Sequence, residues 1–252
     1  METITSRENA KIKYACAVRD SEKQRAADGL FFAEGPKLCL ELAKSCTPRA
    51  MYATAAALAK TPELAQFDPA EIAPHVAEKL SGTKSNQGVF ALFETPVPPA
   101  DTLDTARRIL MLEGVQDPGN VGTIIRTADA AGLDGVLLST QCADVFSPKV
   151  LRATMGSIFR MNLRTTDDLP GELTKLREKG YSILSSQLDG TPFYERQDVA
   201  ERFALIIGNE GNGVSEQVQQ TATHRVRLPM RGGAESLNAA IAAAIMMYEL
   251  MR

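Results

Sequence analysis

The sequence has no tryptophan, only two histidines and no pair of cysteines in Cys-x-x-Cys spacing. Zinc sites draw on clustered cysteine and histidine ligands, so a metal site is not predicted. The four cysteines are scattered, and we interpret them as reduced thiols of a cytosolic protein rather than as a disulfide framework. They are Cys16, Cys39, Cys46 and Cys142.

Long apolar runs are also missing. No stretch of about 18 uninterrupted apolar residues occurs, so no membrane span is predicted. Residues 1–7 lack the apolar core of a secretory signal. Both absences favour a cytoplasmic location, and 252 residues are enough for one large domain or two modest ones.

Basic residues do not outnumber acidic residues either. Asp and Glu outnumber Lys and Arg by 31 to 28, and the formal net charge is −3. Phosphate binding needs Lys and Arg, so this balance argues mildly against nucleic acid as a ligand. The first 50 residues nevertheless carry 9 Lys and Arg against 7 Asp and Glu, and such a local patch keeps a nucleic-acid ligand open.

A Pro-rich, acidic stretch divides the chain. Residues 96–99 include three prolines, which cannot continue a helix or a central strand. We place a linker at 94–106, between domains of residues 1–93 and 107–252. Short strands alternating with helices predict a small α/β sandwich before the linker. Near-continuous apolar strands between helices predict a parallel sheet covered on both faces after it. The strands of this sheet are predicted over residues 108–112, 135–138, 181–184, 203–207 and 225–228.

Three loops that follow predicted strands carry unusual residues, and ligands gather at the carboxyl ends of parallel strands. The first loop, 113–120, leads through Gly, Pro and Asn residues into a predicted helix. Asn120 could simply cap this helix. Arg126 could simply pair with Asp129 one turn later. A purely structural role and a functional role of this loop both stay open.

The second loop, 208–213, holds three glycines and two asparagines in six residues. This composition indicates left-handed backbone, a ligand lying close to the chain, or a plain tight turn. It matches neither a phosphate-binding P-loop nor the dinucleotide fingerprint. Glu210, in the middle of the loop, is harder to explain as part of a turn.

The third loop runs from Pro229 through two glycines to Ser236, which is placed to cap a last helix predicted over 236–251. Asn238 in the first turn is unfavourable for a helix and invites a second explanation. The rest of that helix is apolar on every face, so it is buried or packs against a partner subunit.

Taken in order, the three loops resemble the SpoU (TrmH-type) branch of the SPOUT RNA methyltransferases. The resemblance covers residues 107–252. Residues 32–37 and 80–89 are similar to the ribosomal-protein-like substrate-binding domain that precedes the catalytic domain in many of these enzymes, and 147–157 resembles the stretch between the first two motifs. The motifs are Asn120 with Arg126, then Gly208-Asn209-Glu210-Gly211, then Leu228-Pro229-Met230 with Ser236-Leu237-Asn238.

This resemblance implies a fold, a cofactor and a reaction. The fold is an α/β domain with a parallel sheet and a C-terminal trefoil knot, a rare exception to the rule that chains do not thread loops. The methyl donor is S-adenosylmethionine, the enzyme is a homodimer, and the acceptor is a ribose 2′-hydroxyl of RNA, by analogy ribosomal RNA. The donor would be bordered by Gly208, Leu228, Pro229 and Leu237.

The resemblance also implies roles for five side chains. It gives Arg126 the task of assisting the 2′-hydroxyl, but a free guanidinium has a pKa of about 12.5 or above and is a poor base. We therefore expect Arg126 to bind the neighbouring RNA phosphate and to orient the hydroxyl. Asn120 would orient Arg126 or the ribose. Glu210 and Ser236 would hold the loop and the acceptor nucleotide, and Asn238 would fix the third loop.

The N-terminal domain would hold folded RNA through phosphate contacts, which position a substrate without reading its sequence. Any single basic residue there could also be only a solvated surface charge. A non-catalytic RNA-binding or ribosome-assembly protein is one rival interpretation, and an α/β enzyme that uses a nucleotide on a small molecule is another. The candidate RNA-binding residues are Lys11, Lys13, Arg19, Lys37, Lys84 and Arg152.

Overall fold

The computed structural model describes residues 3–83, 86–97 and 103–252. The helices within these residues are α1 (Ala10–Asp20), α2 (Glu22–Asp28), α3 (Pro36–Leu42), α4 (Ala55–Lys60), α5 (Pro74–Leu80), α6 (Pro118–Ala131), α7 (Pro148–Thr154), α8 (Leu169–Glu178), α9 (Glu216–Gln219) and α10 (Ala239–Leu250). The strands are β1 (Leu30–Glu34), β2 (Pro48–Ala53), β3 (Ala70–Glu71), β4 (Val89–Glu94), β5 (Arg108–Leu112), β6 (Gly135–Ser139), β7 (Asn162–Thr166), β8 (Ser182–Pro192), β9 (Phe203–Ile207) and β10 (His224–Arg227).

The chain divides into two compact units. The first consists of Met1–Val97 with Asp144–Phe159, and the second of Pro98–Ala143 with Arg160–Arg252. Each unit contains one sheet, and the predicted α/β class is confirmed. The domain boundaries drawn from the sequence stay a prediction. The segment Asp144–Phe159, which those boundaries place in the C-terminal domain, packs within the first unit.

The first unit is built on a four-stranded sheet of order β1-β4-β2-β3. β1 and β2 run antiparallel to β4, while β3 is parallel to β2. Phe31 of β1 stacks on Phe93 at 5.6 Å between ring centroids, and the rings of Phe146 and Phe159 lie 5.3 and 5.7 Å from it. These aromatic contacts hold the segment Asp144–Phe159 against β1.

A buried ion pair holds the same segment at a second point. Arg25 Nη2 lies 2.7 Å from Asp144 Oδ2, with side chains 8% and 15% exposed. Arg25 Nη1 also donates to the carbonyl oxygens of Val18 and Arg19, at 2.8 Å each. The guanidinium therefore finds partners for its buried donors, as burial of a charge requires.

The second unit is a six-stranded parallel sheet of order β10-β8-β9-β5-β6-β7. β6 and β9 are buried along their whole length, so the predicted parallel sheet is confirmed. The carboxyl ends of parallel strands share one edge, and the three candidate loops follow β5, β9 and β10 at that edge. The trefoil knot stays a prediction.

The helices that follow the first and third loops are not capped as the sequence suggested. Asp117, not Asn120, is the N-cap of α6, because its Oδ1 accepts from the Asn120 N–H at 2.8 Å. Asn238, not Ser236, is the N-cap of α10, and its Oδ1 accepts from the N–H groups of Ala240 and Ile241 at 2.9 and 3.3 Å. Asn and Asp are among the strongest N-cap residues. The predicted helix start at residue 236 was therefore wrong.

Candidate active site

The first and second loops meet at the carboxylate of Glu210. Its oxygens accept from the N–H groups of Gln116 and Asp117, at 3.2 and 3.3 Å, and from Asn120 Nδ2 at 2.9 Å. Gln116 and Asp117 stand at the start of α6, where positive dipole and free N–H groups favour an anion. The charge of Glu210 therefore draws the two loops together.

Asn120 joins the third loop to the first two. Its Oδ1 accepts from Asn238 Nδ2 at 2.9 Å, while its Nδ2 donates to Glu210. Asn238 uses its own oxygen for the cap of α10. One line of hydrogen bonds thus runs from Asn238 through Asn120 to Glu210, and three segments distant in sequence converge.

The environment of Glu210 favours its ionised form. Burial raises the pKa of this carboxyl, but hydrogen bonds from Asn120 and from the main chain of Glu210, Gln116 and Asp117 outweigh burial and lower it. The pKa of Glu210 consequently lies below its ordinary value. An ionised carboxylate only accepts hydrogen bonds, which is the role it has here.

A pocket of about 740 Å³ opens beside these contacts. Its lining includes residues of the second loop, of the third loop and of the start of α10. Six of the predicted site residues line it: Gly208, Glu210, Leu228, Ser236, Leu237 and Asn238. A Cβ at Gly208 would collide with the main chain of Gly213 and Val214, so the loop requires glycine there.

Three predicted residues lie outside the pocket lining. Pro229 stands between the lining residues Leu228 and Met230, and Asn120 reaches the pocket only through its hydrogen bonds. Arg126 is exposed on α6, and within the described residues its side chain makes no hydrogen bond or ion pair. The ion pair between Arg126 and Asp129 that the sequence allowed is not formed, because Asp129 pairs with Arg160 at 2.6 Å.

Some residues around the pocket were not predicted from the sequence. β8 continues to Pro192, well beyond the strand predicted over 181–184, and brings Gln187, Leu188 and Asp189 to the pocket. Asn209 fixes the start of the second loop, and Glu113 binds Ser215 just after its end. Asn209 gave one signal, since an asparagine between a buried strand and a glycine-rich turn commonly bonds its own backbone.

The predicted RNA-binding residues that the structure describes belong to the first unit. Lys11, Lys13 and Lys37 are exposed, and Lys13 pairs with Glu8 at 2.6 Å. Arg152, on α7, lies 3.9 Å from the buried carboxylate of Glu34. Lys84 lies outside the described residues.

Arg19 differs from the other candidates because its guanidinium serves the protein itself. Its Nη1 donates to the carbonyls of Lys79, Leu80 and Ser81 at 2.8, 2.9 and 3.2 Å, where α5 ends. Its Nε and Nη2 donate to Asp20. The side chain of Arg19 is only 17% exposed and stabilises the end of α5. Because its donors are used within the protein, Arg19 is not among the RNA contacts that we propose.

In the part of the chain that the structure describes, no group of three or more His, Cys, Asp or Glu residues is placed to hold a metal ion. Across the same residues, no helix has the length and apolar character needed to span a membrane.

The fold and pocket define a class of protein: a parallel α/β unit with a ligand-sized pocket at the carboxyl ends of its strands. Residues 107–248 match the SpoU rRNA Methylase family, and residues 9–91 match the MRM3-like substrate binding domain. The chain therefore belongs to the SpoU rRNA methylase family.

Named relatives span the whole chain. The 23S rRNA (guanosine(2553)-2′-O)-methyltransferase RlmP of Bacillus subtilis (strain 168) is 35% identical over 260 residues, covering 99% of each chain. The AdoMet-bound rRNA methyltransferase from Sinorhizobium meliloti is 29% identical with a TM-score of 0.83, over 99% of this chain and 97% of that one. The SpoU methyltransferase AviRb from Streptomyces viridochromogenes, also with AdoMet, is 28% identical with a TM-score of 0.84, over 97% of both chains. The predicted family, enzyme class and methyl donor are confirmed.

Proposed function

We propose that this chain transfers a methyl group from S-adenosylmethionine to a ribose 2′-hydroxyl of ribosomal RNA in the cytoplasm. The observation that carries the proposal is the line of hydrogen bonds Asn238–Asn120–Glu210, which joins three loops beside one pocket. The names of the full-length relatives support ribosomal RNA as the substrate class.

The pocket fits the donor in size and charge. Ligand pockets commonly measure about 300–1,000 Å³, and this one measures about 740 Å³. Carboxylates of Asp189, Glu210 and Glu235 line it with one guanidinium, from Arg227. This balance suits a cationic sulfonium, while Leu228 and Leu237 supply apolar surface. Gly208, Leu228, Pro229 and Leu237 would hold the donor, which supplies an electrophilic methyl group when bound.

On the acceptor side, the protein's task is to place a poorly nucleophilic hydroxyl in line with that methyl group. The exposed guanidinium of Arg126, which has no partner among the described residues, would bind a phosphate next to the acceptor ribose. Asn120 would help to orient the ribose. Ser236 would hold the acceptor nucleotide from the pocket wall, Asn238 would fix the third loop, and Glu210 would keep the loops together as an anion. Positioning of this kind can lower a barrier by up to about 7–11 kcal/mol in ideal cases.

A homodimer is part of the proposal. Three large apolar side chains, Leu237, Ile241 and Tyr248, are 38%, 51% and 56% exposed in or beside α10. Ile241 and Tyr248 are seven residues apart, so they share one helix face. A second copy of the chain would bury this face. Sedimentation equilibrium should give twice the chain's mass, and a purely monomeric sample would contradict this part of the proposal.

The first unit would supply the grip on RNA through phosphate contacts from Lys11, Lys13, Lys37, Arg152 and, by sequence, Lys84. The enzyme as a whole is tested by incubating it with labelled S-adenosylmethionine and unmodified ribosomal RNA, then mapping 2′-O-methyl positions. We expect label at a defined ribose. A chain that binds the RNA but gives no heat with the donor in calorimetry would be a non-catalytic binder.

A further inference from the structure

Two residues outside the roles proposed so far, Glu113 and Asn209, fix the second loop together with the two residues that follow it. We call residues 208–215 the donor loop. At its far end, the carboxylate of Glu113 accepts from the Ser215 N–H at 2.8 Å and from the Ser215 hydroxyl at 2.5 Å. At its near end, Asn209 Nδ2 donates to the carbonyl oxygen of Gly114 at 2.7 Å. Residues 113 and 114, just after β5, therefore hold the loop that follows β9.

Asn209 also gives the donor loop its shape. Its Oδ1 accepts from the N–H groups of Gly211 and Asn212, at 2.9 Å each. Its main chain exchanges two hydrogen bonds with Gly213, both at 2.9 Å. The oxygen of the side chain thus folds the loop, while the nitrogen ties the folded loop to Gly114.

Gly114 is itself a fixed point. Its N–H donates to Ser139 Oγ at 3.0 Å, and Ser139 is 4% exposed at the end of β6. Its φ of +63° is in the left-handed region that favours glycine. The first residues of the first loop, which hold the donor loop, are therefore anchored in turn to the buried end of β6.

We propose that Glu113 and Asn209 are positioning residues that set the shape of the donor pocket. The inference rests on the proposed function, because it takes the pocket lined by Gly208, Glu210 and Asn212 to be the donor site. Both residues act through that loop. Because the same two attachments also fix the segment leading to Asn120, they align the donor wall with the acceptor side.

The substitution Asn209→Asp separates the two tasks of Asn209. An aspartate keeps oxygens that accept from Gly211 and Asn212, but it presents an oxygen instead of a donor to the Gly114 carbonyl. We expect the Kd for S-adenosylmethionine, measured by calorimetry on the full chain, to rise about tenfold or more, because one hydrogen bond is removed and two oxygens are opposed. Gln217→Glu is the matched control. It adds the same charge on exposed α9, away from the pocket lining, and should leave the Kd within about twofold.

The attachment at Glu113 is tested by a double-mutant cycle. Glu113→Gln leaves one accepting oxygen for two donors, and Ser215→Ala removes the hydroxyl that both donates to Glu113 and caps α9 through the Val218 N–H at 3.4 Å. We expect each variant to weaken donor binding and the double variant to be little worse than Ser215→Ala alone, since interacting residues are not additive. Fully additive effects on the Kd would contradict the Glu113 attachment.

Parallel measurements separate this inference from the proposed function and from a general loss of structure. The Kd for ribosomal RNA, measured by filter binding, should stay within about twofold in Asn209→Asp, because the proposed phosphate contacts come from lysines of the first unit, from Arg152 and from Arg126, none of which is in the donor loop. A merely structural role would weaken RNA and donor binding together. Asn209→Asp binding the donor as tightly as the unaltered chain would overturn the inference. An unaltered chain that binds no S-adenosylmethionine would refute the proposed function instead.

Discussion

At the scale of single residues, the site depends on side chains that each serve two partners. Asn120 accepts from one loop and donates to another, and an amide is the side-chain group that does both from adjacent atoms. The carboxylate of Glu210 accepts hydrogen bonds from three donors, and its pKa is lowered. Arg126 differs from both, because within the described residues it has no partner and is available to a phosphate.

Arg126→Ala should abolish most methyl transfer while leaving donor binding intact, because the free guanidinium lies outside the pocket lining. Removing an interaction made in the transition state typically costs about 10²–10³ in kcat. Arg126→Lys should recover only part of the rate, because a lysine cannot bind phosphate with two parallel hydrogen bonds. Single-turnover assays and calorimetry check this. Unchanged turnover in Arg126→Ala would remove the residue from the mechanism, and a failure to bind the donor would make its role structural.

The lowered pKa of Glu210 predicts that the free energy of unfolding depends on pH. Because its pKa is lowered in the folded chain, its contribution is complete above the ordinary glutamate pKa of about 4.3 and is lost as the pH falls through the lower folded value. Glu210→Gln should therefore be less stable than the unaltered chain near neutral pH, and the difference should shrink in acid. Chemical denaturation from neutral to acid pH measures it. A difference independent of pH would show that the charge of Glu210 does not stabilise the loops.

At the scale of elements, the start of α10 combines a helix cap with a catalytic-site contact. Asn238 Oδ1 caps the helix, and Asn238 Nδ2 reaches Asn120. The sequence predicted this helix, but it placed the cap at Ser236. Both residues are good N-caps in isolation, and the choice depends on Asn120, which is 118 residues away along the chain.

Substitutions at Asn238 separate the two functions. Asn238→Asp keeps a capping oxygen at the helix N-terminus and should lower the free energy of unfolding less than Asn238→Ala, which loses the cap at a cost of about 1 kcal/mol. Both variants lack the donor to Asn120, so both should reduce methyl transfer. Urea denaturation and activity assays measure the pair of effects. An Asn238→Asp variant with full activity would show that the hydrogen bond to Asn120 is dispensable.

Strand prediction succeeded where strands are buried and failed at the edges. β6 and β9 are apolar throughout and were found from the sequence. β7 was missed because its residues, Asn-Leu-Arg-Thr-Thr, are polar and half-exposed at the edge of the sheet. The far part of β8, which reaches the pocket, was missed because its polar and exposed residues do not form a hydrophobic pattern.

At the scale of the whole molecule, the two units carry different parts of the proposed task. The second unit contains the donor pocket, and the first presents exposed lysines. The motifs allowed the family to be predicted, since Asn120, Glu210 and Asn238 keep the family order along the chain. The packing of Asp144–Phe159 in the first unit was not predicted, because it depends on aromatic contacts and on the buried pair of Arg25 and Asp144.

Neutralising the lysines of the first unit should affect RNA and not the donor. The combined substitutions Lys11→Gln, Lys13→Gln and Lys37→Gln should raise the KM for ribosomal RNA. They should also reduce the salt dependence of binding by about one unit of slope for each phosphate that is no longer neutralised. The matched control replaces exposed lysines at 23, 44 and 60, with the same change of net charge. Equal effects from both sets would mean that only the overall charge matters.

The main proposal is that the pocket beside the three loops binds the methyl donor. A crystal structure of the protein with S-adenosylmethionine tests this proposal most directly. We expect the donor between the donor loop and the third loop, in contact with Gly208, Leu228 and Leu237, and with its methyl group directed towards the side of Asn120. A donor bound elsewhere, or a pocket in which the line Asn238–Asn120–Glu210 is broken when the donor is present, would contradict the account.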